Sequence, residues 1–432
     1  MFLSDCLSVN AAGHLAIDDA DAVALAQRFG TPLYCLSEAE IRRACRTFAD
    51  ALQSCFPQGS FAAYAGKALC CRELLRIVQS EGLGLDVVSG GELYTAASVG
   101  FAPEKILFHG NNKTPAELAD ALEYGVGTIV VDNLFELETL AKLCAARGRR
   151  QDIFLRIKPG VEAHTHKYIL TGSIDSKFGF ALENGEADDA VARAASCGAL
   201  RLTGLHCHIG SQIFEAEPFC EAARVMLRFM KRCGETHGIA PEKLDLGGGY
   251  AIKYLPENTF TPAKAMIGTV ARAIEAECAA LGMPVPQIIL EPGRRIVGSA
   301  GVTLYTVGAV KEIRGVRTYV SVDGGMTDNP RYALYQADYT AVLANKAAQP
   351  ADRRVTIAGK CCESGDLIQE NTLLQAAEPG DILAVLSTGA YNYSMASNYN
   401  RIPRPPIVLI RGGDARVIVR RETYEDLLRC DE

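Results

Sequence analysis

The chain has 432 residues, of which 48% are hydrophobic and 22% charged, with a formal net charge of -7 at pH 7. That length is enough for two domains and a large buried core. The acidic balance excludes nucleic acid as the main partner, because phosphate binding needs a basic surface. No run approaches the ~18 apolar residues of a membrane span, and "MFLSDCLSVN" lacks the basic and apolar regions of a signal peptide. A cytoplasmic protein is expected. The fifteen cysteines are odd in number and form no CxxC, so they predict neither a zinc site nor a disulfide framework, and read as small buried hydrophobes.

In chain order, the first 37 residues hold one helix ending near Gly30 and a strand, "TPLYCLS", with no obvious partner among the strands that follow. Eight apolar runs come next: Phe61–Lys67, Leu85–Ser89, Lys105–Gly110, Thr128–Asp132, Asp152–Lys158, Leu200–His208, Lys243–Leu246 and Gln287–Glu291. Between most of them lie amphipathic segments. "TPAELADALEYG" starts with Thr114 as N-cap and Glu117 three residues on, and "LFELETLAKLCAARG" closes on Gly148. Eight strands alternating with helices predict a parallel (β/α)8 TIM barrel. The connection from 159 to 180 is long for an ordinary loop, and such loops are often functional. After Val297 strands dominate, ending in a hairpin through Gly412-Gly413-Asp414. The fold class is therefore α/β, with a barrel over 38–285 and a mostly antiparallel β-sandwich or barrel domain built from 1–37 and 286–432.

In such a barrel the chemistry sits at the carboxyl ends of the strands. Those ends carry Lys67, Ser89, Asn111, Asp132, Lys158, His208, Gly247–Gly249 and Glu291. A lysine there is either a solvated charge or, once desolvated, a nucleophile toward a carbonyl. In "HCHIGSQ", His206 and His208 share a strand face. No further carboxylate or cysteine has matching spacing, so no metal site is expected. Either ring is a packed core histidine or lies flat on a planar cofactor whose phosphate Ser211 meets. "LDLGGGYA" departs from the dinucleotide pattern, because Ile252 stands where its last glycine would be. Its glycines serve a tight turn or bring backbone N–H groups to an anion. Glu291, buried at a strand end, needs a partner: Arg294 or Arg295, or a protonated ring nitrogen. A lysine, a phosphate cradle, a stacking histidine and an acid are together what pyridoxal phosphate requires.

"YAGKA", "HCHIGSQ", "LGGGY", "EPGR", "VDGGMTDNPRYALY", "CESGD" and "GAYNYSMASNYN" occur in the order seen in diaminopimelate decarboxylases. The sequence resembles that family, of the alanine-racemase-like fold, over about residues 10–425. The resemblance implies decarboxylation of meso-2,6-diaminopimelate to L-lysine with pyridoxal 5′-phosphate held covalently by Lys67. His208 would stack on its ring and Glu291 would pair with the ring nitrogen. Ser211, Gly247, Gly248, Gly249, Pro292, Gly293, Arg294 and Tyr391 would surround it. Arg294, Arg331, Tyr335, Glu363 and Tyr391 would bind substrate, and Cys362 would donate a proton. A thiol of ordinary pKa, ~8.5, carries its proton at neutral pH. Cys361 precedes Cys362, and Cys362 is chosen because it adjoins Glu363. The resemblance also implies a homodimer in which the cysteine loop reaches the partner's barrel. The rivals are a sister decarboxylase acting on ornithine, arginine or carboxynorspermidine, a racemase of the same fold, and a non-catalytic pyridoxal-phosphate-binding homologue.

Overall fold

The computed structural model describes residues 2–161 and 175–432. It divides into two compact units: Cys45–Ala251 with Phe260–Gly293, and Met1–Ala44 with Ile252–Thr259 and Arg294–Glu432.

The first unit is a closed barrel. Its strands are Phe61–Ala65, Gly84–Val87, Ile106–Phe108, Thr128–Val131, Gln151–Lys158, Leu200–His206, Lys243–Asp245 and Gln287–Leu290. Each pairs in parallel with the next, and Ile289 opposite Phe61 closes the ring. These runs are apolar because both faces are covered, by helices outside and by packed side chains within. Ala63, Leu107, Val130, Phe154 and Ile289 fill the interior. Gly204 makes room for Phe154: a Cβ there would lie 2.6 Å from its ring and 2.8 Å from the Lys243 carbonyl. Thr114 and Glu117 form the expected capping box, and Gly148, at φ 59°, ends the helix Leu134–Ala146. Most of the long connection, residues 162–174, lies outside the described residues. Beyond it, the Gly179 N–H donates to Asp132 Oδ1 at 2.7 Å and Phe180–Ala181 pairs with Ile157–Lys158.

In the second unit, the strand Leu33–Ser37 is buried throughout. It pairs antiparallel with Gly301–Leu304 and parallel with Ile407–Ile410. Most other pairings are antiparallel, and Arg317–Val322 with Arg353–Ala358 is the second parallel one. The hairpin Ile407–Arg411 to Asp414–Val419 turns through Gly412 and Gly413, at φ 55° and 83°, the left-handed pair that a two-residue I′ turn demands. A small three-stranded sheet, Leu7–Val9, Leu15–Ile17 and Ala20–Asp21, was not legible in the sequence. Among the described residues no helix is long and apolar enough to cross a membrane.

Candidate active site

Lys67 follows the first barrel strand in a short turn, Gly66–Ala68. Its Nζ lies 3.3 Å from Asp86 Oδ2, on the next strand round. The carboxylate is 1% exposed and the lysine side chain 39%. A buried anion thus anchors an amine that stays accessible, the arrangement a covalent attachment point needs.

Glu291, 3% exposed, ends the last barrel strand. His109 Nε2 lies 2.6 Å from its Oε1, and His206 Nε2 lies 3.4 Å from its Oε2. Burial pushes the Glu291 carboxyl up, but the two imidazoles outweigh it and hold the group well below the usual range. Burial takes His206 down to about 3, so that ring is neutral and serves as an N–H donor. Asp245 lies behind, accepting from Gly247 N–H at 2.8 Å. Burial and then the Glu291 charge push its carboxyl well above the usual range. The two acids are thereby driven apart, Glu291 ionised and Asp245 protonated. Ligand atoms of His109, His206, Asp245 and Glu291 all lie within 4.8 Å of one another. The 2.6 Å approach of His109 to Glu291 is shorter than the roughly 3.3 Å between two ligands held 2.0–2.1 Å from a tetrahedral ion, so the cluster reads as paired side chains.

The glycine triplet is packed against backbone. A Cβ at Gly248 would lie 2.3 Å from the Glu291 carbonyl, and one at Gly249 2.5 Å from the Gly210 carbonyl. The Gly248 N–H donates to His208 Nδ1 at 3.2 Å. That bond orients the half-buried ring of His208 and leaves its proton on Nε2. Burial, then Lys67 and Arg156, hold its pKa well below the ordinary value, so it is neutral. Gly293 packs on Ala65, where a Cβ would approach to 2.9 Å, and the Pro292 carbonyl faces the Ala65 N–H at 3.5 Å. Ser211 lies in the loop after His208, half-buried. Lys67, His208, Gly247–Gly249, Glu291, Pro292 and Gly293 thus belong to the barrel unit.

Arg294, Arg331, Tyr335, Cys362, Glu363 and Tyr391 belong to the β-rich unit. Arg294 and Arg331 are 8% and 7% exposed. The Arg294 guanidinium lies 4.6 Å from the ring centre of Tyr391, whose backbone adopts the left-handed φ of 60°. Arg331 donates to Tyr339 Oη at 2.8 Å and lies 4.9 Å from the Tyr254 ring centre. Tyr335 is half-buried on the short helix Arg331–Tyr335. Cys362 and Glu363 are exposed. Their loop is held by Asp366, whose carboxylate accepts from Met326 N–H at 2.6 Å and Cys361 N–H at 2.7 Å. Asn400 Oδ1 accepts from the Cys362 N–H at 2.8 Å. Cys361 is buried, its thiol pushed up to about 11 by burial and the Asp366 carboxylate. Of the two adjacent thiols, Cys362 is the accessible one.

Sequence reasoning missed Asp86, His109, Asp245, Tyr254 and Asp366. For Asp86 and Asp245 a signal existed, since each is an acid flanked by leucine or valine inside an apolar strand. His109 sits at a strand end beside Gly110, where Asn111 is an equally polar neighbour. Tyr254 and Asp366 carry no local mark.

The family profile described as "Pyridoxal-dependent decarboxylase, pyridoxal binding domain" matches residues 18–298. The diaminopimelate decarboxylase of Bacillus subtilis (strain 168) is 47% identical over 431 residues, covering 100% of this chain and 98% of that protein. The crystal structure of diaminopimelate decarboxylase from M. jannaschii in complex with L-lysine superposes with a TM-score of 0.91 at 35% identity, covering 100% of this chain and 99% of that one. The Helicobacter pylori enzyme complexed with L-lysine gives 0.83 at 31% identity, covering 94% and 98%. With a pyridoxal-binding barrel profile and full-length relatives of one name, the chain belongs to the diaminopimelate decarboxylase family.

Proposed function

We propose that this chain releases CO2 from meso-2,6-diaminopimelate to give L-lysine, the last step of lysine biosynthesis, with pyridoxal 5′-phosphate bound in its barrel. The donor set of the barrel fits that cofactor. Lys67 offers an accessible amine to its aldehyde, and Glu291 an ionised carboxylate to its ring nitrogen. His208 offers a neutral, oriented ring, while Ser211, Gly247–Gly249, Pro292, Gly293, Arg294 and Tyr391 complete the surround. When bound, the cofactor supplies an electron sink for the pair left behind by departing CO2. The protein's own residues then bind the substrate's distal end, hold Glu291 charged and deliver one proton. Cys362 holds that proton on its sulfur, and Glu363 and Tyr335 join the substrate contacts.

Arg331 carries the choice of substrate. It is a buried cation whose partners are tyrosines, and among the described residues no carboxylate pairs with it. A buried charge left without a counter-ion is costly, and a guanidinium fork suits a carboxylate. Diaminopimelate brings one at its far end, whereas ornithine and lysine do not. A site built for that group can discriminate by ~10⁴-fold or more.

The active form is a homodimer, with Cys362 serving the barrel of the partner subunit. Exposure of Cys362 in the single chain supports this. A cytoplasmic location accords with fifteen free thiols.

The test supplies meso-diaminopimelate and cofactor and measures L-lysine and CO2. Comparable turnover of lysine, ornithine, arginine or carboxynorspermidine would move the chain to a sister activity. Lys67→Ala should lose the bound cofactor's colour, and Cys362→Ala should keep the colour and lose CO2 release. Borohydride trapping followed by peptide mapping should find the label on Lys67.

A further inference from the structure

We infer that Tyr254 is a specificity-determining positioning residue: it couples Arg294 and Arg331 into one receptor for the carboxylate that the product retains. This rests on the reading of those two arginines as substrate-binding.

Tyr254 is 6% exposed and touches both guanidiniums. Arg294 Nη1 donates to its Oη at 2.5 Å. Arg331 lies against its ring, 4.9 Å from the centre, and Arg294 is 5.7 Å from the same centre. One cation takes the oxygen lone pair and the other the π face, so a single neutral side chain accommodates two buried positive groups. The phenol is itself fixed. Its backbone N–H donates to Asn258 Oδ1 at 3.1 Å, its carbonyl accepts from Thr340 Oγ1 at 2.8 Å, and its ring meets Tyr339 edge-on at 5.2 Å and 88°. Tyr339 in turn accepts from Arg331 and donates to Asn392 Oδ1 at 3.0 Å. Arg331 is therefore gripped by two perpendicular rings, one of which also receives Arg294. Burial pushes the Tyr254 hydroxyl pKa up, but the two guanidiniums outweigh it and bring it below the ordinary value, as expected of an oxygen that serves them as acceptor. A common residue thus sets the positions of both cations from behind, which orients them together toward an incoming anion.

L-Lysine and cadaverine differ by one carboxylate, the one that survives the reaction, and so isolate this receptor. The experiment titrates holoenzyme with each, by competition against diaminopimelate turnover and by change in cofactor absorbance, for wild type, Tyr254→Phe and Tyr254→Leu. Tyr254→Phe should weaken L-lysine about tenfold or more, the size of one hydrogen bond to a charged group. Tyr254→Leu should weaken it further, and cadaverine should change less than twofold in both. For diaminopimelate the loss should fall on KM, with kcat nearly unchanged. Equal weakening of both ligands would reduce Tyr254 to a structural part, and no weakening of L-lysine would remove it from the receptor; either result overturns the inference. Wild type binding both ligands equally would instead overturn the assignment of Arg294 and Arg331, and absence of lysine production by wild type would overturn the proposed activity. If Tyr254→Leu does not fold, the isosteric Tyr254→Phe decides alone.

Discussion

Lys113 and Glu136 form an ion pair inside the barrel unit, with side chains 1% and 2% exposed and Nζ 2.9 Å from Oε1. The ammonium also donates to the Gly110 and Val130 carbonyls, each at 2.8 Å. Lys113→Met keeps the stem and removes the charge, leaving a buried carboxylate without its cation. Such a loss costs about 3–5 kcal/mol. At roughly 2–4 °C per kcal/mol for a unit of this size, Tm should fall by about 6–20 °C. The pH dependence identifies the cause. Burial raises the Glu136 carboxyl to about 7, with Lys113 opposing it, whereas an unfolded glutamate titrates near ~4.3. Because the folded value is the higher, the folded state binds the extra proton, and the group's contribution is full below ~4.3 and declines as pH rises through about 7. Without Lys113 the folded value rises further, so the penalty is largest above both values. At about pH 8.5 the full loss should appear. At about pH 5.5 Glu136 is protonated in both proteins, and only the two carbonyl hydrogen bonds are missed, about 1–3 kcal/mol. Melting of the holoenzyme by circular dichroism at the two pH values measures this. Equal Tm shifts at both would refute the reasoning, as would failure of the double variant Lys113→Met/Glu136→Gln to recover stability at high pH.

Gly248→Ala should lower stability by about 1–3 kcal/mol and loosen the cofactor, because its Cβ would lie 2.3 Å from backbone at Glu291; thermal shift and cofactor titration report the two effects. His109→Ala removes the group 2.6 Å from Glu291. The folded Glu291 pKa is depressed, so the favourable interaction exists above ~4.3 and disappears as pH falls through the folded value. Raising that value should make cofactor absorbance fade at a higher pH than in wild type, and an unchanged acid limb would count against the pairing. Asp366→Asn should disorder the Cys362 loop by weakening two charge-assisted backbone contacts, lowering kcat about tenfold or more at 1.5–3 kcal/mol per contact while cofactor affinity stays intact.

Apolar runs broken by turn residues were enough to locate all eight barrel strands, because a parallel strand buried on both faces has no polar alternation to confuse. Thr114 with Glu117 and Gly148 were legible for the same local reason: caps are short-range chemistry. Lys67, His208 and Glu291 could be placed at the carboxyl ends of barrel strands, since parallel topology sends those ends to one rim. What escaped was long-range. The contact of His109 with Glu291 joins strands far apart in sequence and not adjacent in the ring, with two other strands between them. Tyr254 belongs to a short stretch, Ile252–Thr259, that leaves the barrel unit for the other one, and no periodicity announces that departure. The parallel pairing of Leu33–Ser37 with Ile407–Ile410 was hidden likewise, because strand propensity says nothing about which neighbour a strand will choose.

That last pairing bears on how the molecule is made. Leu33–Ser37 lies between Gly301–Leu304 and Ile407–Ile410, so a ribosome exposes this mostly apolar ribbon early and supplies its flanking strands only after the barrel has been synthesised. The barrel can close once Gln287–Leu290 has emerged, while the N-terminal ribbon still waits with free N–H and C=O edges. Contacts so distant form slowly, and an unpaired apolar edge invites pairing with other chains. Nascent chains stopped before residue 407 should therefore aggregate through that ribbon, even with a finished barrel behind it.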